Sequence, residues 1–278
     1  YGIVIYIMLK KNKFLFLFLI SFAIILSVVI EARLNPARAM KGNYPSNLFR
    51  ALQIQNTTAE NYLLSNVRCG IDNAELYMKN PSSLKPSWKQ LHVNADALED
   101  VYLIIEPLAC YEFLRSICTH NCLWFEFKQD APAESGDGYK TFGLVCSGQM
   151  IYKSKNNEFF LFQFMSKEDY FRLAYCTGRR LMLYKLDLSE KQKKALFLNA
   201  INIASTRAAN EKYHLVNNNC INNMFELVNT VLPSYQQFNH WLVHKIIFNP
   251  IFCVPVFNEF IFRVHGLIKE KLPPFEAE

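Results

Sequence analysis

Residues 211–233 read EKYHLVNNNCINNMFELVNTVLP, and the reading of this stretch decides how the rest of the chain is understood. After a short alternating run and three asparagines, Ile221, Met224, Phe225, Val228, Val231 and Leu232 recur at helical spacing until Pro233 ends the pattern. Asn218 or Asn219 suits the N-cap, because its side-chain oxygen can accept a free N–H of the first turn. Cys220 then falls in the first turn of a buried amphipathic helix, where unpaired N–H groups and the positive dipole end favour a thiolate. A cysteine here can also be a small core hydrophobe. The whole string favours a nucleophile, which needs a histidine from elsewhere in the chain.

The chain has 278 residues, of which 51% are hydrophobic and only 9 are glycine, which excludes a disordered protein. Its net charge of +6 is unevenly placed. Residues 1–39 hold Lys10, Lys11, Lys13, Arg33 and Arg38 against Glu31, and residues 40–278 carry 25 basic and 23 acidic residues, about +2. No nucleic-acid footprint survives that division. Met8 opens MLKKNK and reads like a natural start, with residues 1–7 upstream of it. Three lysines are followed by 17 residues without a charge, Phe14 to Ile30. This is the pattern of an export signal or a membrane anchor, and Ala37-Arg38-Ala39 has the form of a cleavage site. The body of the chain is therefore expected outside the cytosol, on the periplasmic side of the cytoplasmic membrane, either anchored or signal-cleaved.

Residues 40–100 read as a helical lead-in, with Leu48, Leu52, Tyr62 and Leu63 as apolar contacts and turns at Pro81 and Pro86. Strand candidates follow at 101–106, 117–128, 141–152, 158–164 and 179–187, with a Pro/Gly loop at 131–140. Ser189 opens a helix with Gln192 as its capping-box partner, and the strand-like turn at Tyr213 leads to the Cys220 helix. This order predicts an α+β domain over 101–235, an antiparallel sheet with helices on one side. The tail, 236–278, is aromatic and broken by Pro250 and Pro255. It reads either as a strap packed on the domain or as an element at a membrane interface.

A thiol nucleophile needs a base, itself oriented by a third group. Of six histidines, His214 is too close in sequence to face Cys220, and His240, His244 and His265 lie in the tail. His120 shares one strand face with Cys118 and Cys122. A metal cluster there is disfavoured, since Cys118 and Cys122 would lie about 13 Å apart at roughly 3.3 Å per residue. The spacing of the 8 cysteines fits no zinc pattern, and no cofactor is called for. Gln149, Gln163 and Glu126 are the polar candidates for the orienting residue.

RRLMLYKLDLSEKQ followed by YHLVNNNC resembles the Lnb-type periplasmic domain family. Its members show a Gly-His strand motif, a basic-apolar strand leading to L-L-S-x-x-Q, and Tyr-x-Tyr-x-x-x-Asn-Cys at a helix start. Here Thr119-His120-Asn121 stands where Gly-His is expected. Leu186-Asp187-Leu188-Ser189 with Gln192 matches the pre-helix segment. Tyr213 and Asn219-Cys220 match the nucleophile segment, with His214-Leu215 in place of the second Tyr. The resemblance covers about residues 100–235. It implies a permuted papain-like fold related to NlpC-type peptidases, with Cys220 and His120 as the catalytic pair; Asn219 and Tyr213 join Gln149, Gln163 and Glu126 as candidates for the orienting or oxyanion role. It also implies acyl transfer from a phospholipid to a lipoprotein amine at the membrane. A thiol amidase or peptidase acting on envelope peptides, and a non-catalytic envelope binding protein that keeps the fold, are the alternatives.

Overall fold

The computed structural model describes residues 48–56, 58, 60–72, 74, 84–107, 119–154, 157–207, 211–213, 218–238 and 255–275. All of them belong to one of the chain's two compact units, Gly42–Glu278. The expected signal or anchor helix, with the charge-free run 14–30, lies outside the described residues. No helix among the described residues is long and apolar enough to cross a membrane.

Extended runs pair into one sheet: β1 (Gln53–Asn56), β2 (Asn61–Asp72), β3 (Lys85–Asn94), β4 (Leu98–Pro107), β5 (Thr119–Phe127), β6 (Ala133–Glu134), β7 (Lys140–Thr141), β8 (Gly143–Ser154), β9 (Asn157–Ser166), β10 (Met182–Leu186), β11 (Glu211–Lys212) and β12 (Ile268–Lys271). The spatial order is β12-β10-β4-β5-β8-β9-β2-β3-β6-β7, with β1 on β2 and β11 on β9. The sheet curls into a half-barrel with four α-helices among the described residues: α1 (Lys167–Cys176), α2 (Glu190–Thr206), α3 (Cys220–Asn229) and α4 (Pro255–Val264). The class is α+β, as expected. The sheet is mixed rather than antiparallel, because β2 runs parallel to β9 at Arg68 and Met165.

The helical lead-in is a correction: most of its described residues form β1, β2 and β3, with a single 3-10 turn at Ala95–Ala97 before β4. The register of β2 against β3 shifts between Leu64 and Val67, and Asn66 takes a left-handed φ of 65°. That irregularity puts Leu64 and Val67, three residues apart, into the same core, which imitates a helical spacing inside a strand. A second correction concerns the helices, which cover both faces. Leu103, Leu123, Phe125 and Phe164 meet Phe197 of α2, Phe225 of α3 and Phe262 of α4 on one face. Tyr102, Cys122, Trp124 and Val145 meet Tyr170 and Ala174 of α1 on the other. Strands buried from both sides read as continuous apolar runs, as VYLIIE in β4 does. The described part of the tail, 255–275, is integral to the fold. Pro255 starts α4, where its missing N–H costs nothing, and β12 pairs with β10.

Helix α1 buries a short apolar stripe, Tyr170, Leu173 and Ala174, with the charged Asp169 beside it. An ion pair adds to that packing: Arg68 Nε of β2 donates to Asp169 Oδ2 at 2.6 Å, with both side chains nearly dry. Removing one partner of such a pair strands the other charge. Asp169→Ala is therefore expected to lower unfolding free energy by about 3–5 kcal/mol, measured by urea denaturation. A loss below about 1 kcal/mol would mean that apolar packing, not the pair, seats α1.

Candidate functional site

The start of α3 is fixed by asparagines. Asn219 is extended, and its Oδ1 accepts from the N–H groups of Ile221 (2.8 Å) and Asn222 (2.9 Å). Asn223 Nδ2 donates to Asn218 Oδ1 at 2.8 Å and to Asn219 O at 2.7 Å. Asn218 Nδ2 donates to Lys212 O at 2.9 Å, and Arg207 Nη1 donates to Asn223 Oδ1 at 2.8 Å. Asn218, Asn219 and Asn223 thus tie Lys212 and Arg207 to the start of the helix. Cys220 is the first helical residue, 8% exposed.

Helix α3 packs across β5 and β8, and Gly148 of β8 lets it come close. A Cβ on Gly148 would stand 3.2 Å from Cys220 Cα and 2.6 Å from the Phe160 ring. Tyr213 stacks on that same Phe160, with ring centroids 6.4 Å apart.

His120 lies in β5, half-buried. Its two neighbours are pinned by one buried residue of the tail. Asn121 Nδ2 donates to Asn258 Oδ1 at 3.1 Å, and Asn258 Nδ2 donates to Thr119 Oγ1 at 3.2 Å. Burial alone would push the imidazole down. The charge of Cys122 and Cys220, and hydrogen bonding to both, instead hold it well above the usual histidine range. The structure therefore brings His120 and Cys220 together.

The orienting partner is a residue that the sequence reading missed. His120 Nε2 lies 2.7 Å from Ser147 Oγ, a fully buried hydroxyl of β8. Gln149 Nε2 donates to the same oxygen at 2.5 Å and Cys122 Sγ donates at 3.3 Å. Gln149 thus reaches the site through Ser147. Gln163 sits opposite Ser147 in the ladder, but its Nε2 donates to Leu48 O at 2.9 Å. Glu126 lies at the far end of β5, accepting from Tyr102 Oη at 2.9 Å with Lys167 Nζ at 3.6 Å. It does not join the site. Cys118, His214, His240 and His244 lie outside the described residues. The one signal for Ser147 was its place two residues before Gln149, on the same strand face.

Two of the remaining cysteines are electrostatically quiet. Burial, with the Asp169 charge, pushes Cys69 up to about 12, and burial also raises Cys146. An open hollow of about 470 Å³ between β1, β2 and α2, lined by Ile54, Tyr62, Leu198, Ile201, Asn202 and Ser205, contains none of the site residues.

Gly148→Ala tests the close approach. The added methyl is expected to cost about 1–3 kcal/mol as overpacking, read by urea denaturation, and to slow alkylation of Cys220. Unchanged stability and labelling would show that α3 does not bear on β8 there.

Residues 85–249, more than half of the chain, match the Lnb N-terminal periplasmic domain. No curated protein and no solved structure matches. The matched span contains His120, Ser147, Gly148 and Cys220, and the family's setting makes this an envelope-exported protein with its domain in the periplasm. The chain belongs to the Lnb N-terminal periplasmic domain family.

Proposed function

We propose that the protein is an exported thiol acyltransferase with Cys220 as nucleophile and His120 as its acid–base partner. The observation that carries this reading is the placement of Cys220 at a capped helix start, pressed on β8 at Gly148, with the His120 imidazole of the adjacent strand raised by Cys122 and Cys220. A raised histidine beside a thiol favours the thiolate–imidazolium form, in which the nucleophile is active. The frame is read as permuted papain-like, a cysteine at a helix start facing a histidine on the sheet.

The steps follow from that pair. The Cys220 thiolate attacks an ester carbonyl, and His120 gives its proton to the departing alkoxide, leaving an acyl-thioester and an alcohol. An amine then attacks the thioester. His120 takes the amine's proton and Cys220 leaves as thiolate, giving an amide. Asn219 occupies the N–H groups of Ile221 and Asn222 but not that of Cys220. That N–H is assigned to the developing oxyanion.

A phospholipid donor and a lipoprotein amine acceptor suit a domain in the periplasm with a charge-free run at 14–30. Part of an acyl chain is enough to anchor a donor, at about 0.8 kcal/mol per buried CH₂. Of the tail aromatics, Phe262 is core, whereas Phe260 is 59% exposed on α4 beside Val264 at 66%. These two side chains are the described part of a lipid-facing surface.

The test incubates wild type and Cys220→Ser with labelled phospholipid and, separately, with peptidoglycan-type peptides. Labelled acyl trapped on Cys220 in wild type, and thioester label at background in the variant, are expected. Peptide cleavage without any lipid-derived acyl-enzyme would replace the transferase with a thiol peptidase. Inactivity on both substrates, with Cys220 unreactive, would replace it with a binding protein.

A further inference from the structure

We infer that Glu106 is a positioning residue for the Cys220–His120 pair, a buried carboxylate that faces His120 across the β4–β5 ladder and anchors the buried polar contacts around the imidazole. The inference rests on the reading of that pair as the reactive centre.

Glu106 is fully buried at the end of the run Val101–Ile105 of β4, and it is the register partner of His120. An isolated buried carboxylate is costly enough that a fold keeps one only when it is well partnered. Its two oxygens have separate partners. Oε1 accepts from Arg179 Nη1 at 2.7 Å, and Oε2 accepts from Tyr170 Oη at 2.7 Å. The line continues from Tyr170 Oη to Cys122 Sγ at 3.2 Å, from Cys122 Sγ to Ser147 Oγ at 3.3 Å, and from Ser147 Oγ to His120 Nε2 at 2.7 Å. Every residue between the carboxylate and the imidazole is buried.

An ion pair serving only to fix the segment after α1 would need Arg179 and Glu106 alone. The second oxygen is instead directed, through Tyr170, into the groups that hold His120. The groups around the imidazole are Glu106 on β4, Cys122 on β5, Ser147 and Gln149 on β8, Tyr170 on α1, Arg179 beyond it and Cys220 on α3. Arg179 is the only fixed cation among them, and it sits on the oxygen of Glu106 that does not lead to the line. Burial would raise the Glu106 carboxyl, but Arg179, the His120 charge and the Tyr170 hydrogen bond bring it below the usual carboxylate range. Coupling of this kind is reciprocal: if His120 stabilises the Glu106 carboxylate, Glu106 stabilises the His120 imidazolium.

The sign follows directly. Neutralising Glu106 makes the imidazolium less stable, so His120 loses its proton at lower pH. The thiolate–imidazolium form is then scarcer at neutral pH. The experiment uses the full chain, labelled for NMR in detergent micelles, as wild type, Glu106→Gln and Glu106→Asp. In Glu106→Gln the His120 titration midpoint is expected to fall by about one pH unit, and iodoacetamide labelling of Cys220 at pH 7 to slow about tenfold. Glu106→Asp, which keeps the charge, restores most of both. A folded Glu106→Gln protein with the wild-type His120 midpoint and labelling rate overturns the inference.

Should Glu106→Gln fail to fold, the reciprocal measurement decides. The Glu106 carboxyl is followed by ¹³C NMR in wild type and in His120→Gln. A carboxyl that titrates at higher pH without His120 supports the coupling, and coincident curves overturn it. Neither readout involves an acyl substrate. Coupling seen in a chain that transfers no acyl group would therefore uphold Glu106 while removing the acyltransferase reading.

Discussion

The site depends on one close approach, that of the first turn of α3 to β8 at Gly148. With any side chain at that position, a Cβ would stand 3.2 Å from Cys220 Cα and 2.6 Å from the Phe160 ring. With hydrogen there, the helix start rests on the strand, and Cys220 comes within reach of a histidine carried by the neighbouring strand. Asn219 completes the arrangement by taking two first-turn N–H groups, so the helix begins at Cys220 rather than fraying past it. The asparagines before the cysteine are thus structural at their side chains, and what they position is chemical.

A second constraint runs through the sheet. Between two apolar layers, a line of buried polar groups extends from Arg179 through Glu106, Tyr170, Cys122 and Ser147 to His120. Half-satisfied polar groups in a core are more costly than none, and this line is a succession of polar contacts of 2.7–3.3 Å, in which Cys122 shares its one proton between Tyr170 and Ser147. It contributes no apolar burial. Its effect is to fix one orientation of the imidazole in a strand whose start is already held by Asn258 from α4. The tail therefore bears on the site through Thr119 and Asn121, a role that its aromatic composition does not announce.

Much of the frame was legible in the sequence because the signals were local. The capping box at Ser189 and Gln192, the cap at Asn219 and the strands around 101–106 and 158–164 stand where the pattern put them. What was illegible depended on distant pairing. The irregularity at Asn66 gave β2 a helix-like spacing. Helix α1 is seated in part by the Arg68–Asp169 pair, and no hydrophobic period records an ion pair between residues 101 apart in sequence. Ser147 and Glu106 belong to the site only because β4, β5 and β8 lie side by side. A serine two residues before a favoured glutamine and a glutamate closing an apolar strand carry no such message alone. Glu126 failed as the orienting group for the same reason: the strand carries it to the far end, where Tyr102 and Lys167 engage it.

The central claim is that Cys220 and His120 act as a pair, and cysteine-resolved alkylation tests it most directly. Wild type and His120→Gln are treated with iodoacetamide at pH 7, and each labelled cysteine is quantified by mass spectrometry. The account predicts that Cys220 labels faster than Cys69 and Cys146, whose thiols burial keeps protonated. It further predicts that His120→Gln slows Cys220 on the order of tenfold, one unit in the proton equilibrium, while leaving the other two unchanged. Equal labelling of Cys220 in both proteins, at the rate of the buried thiols, would contradict it.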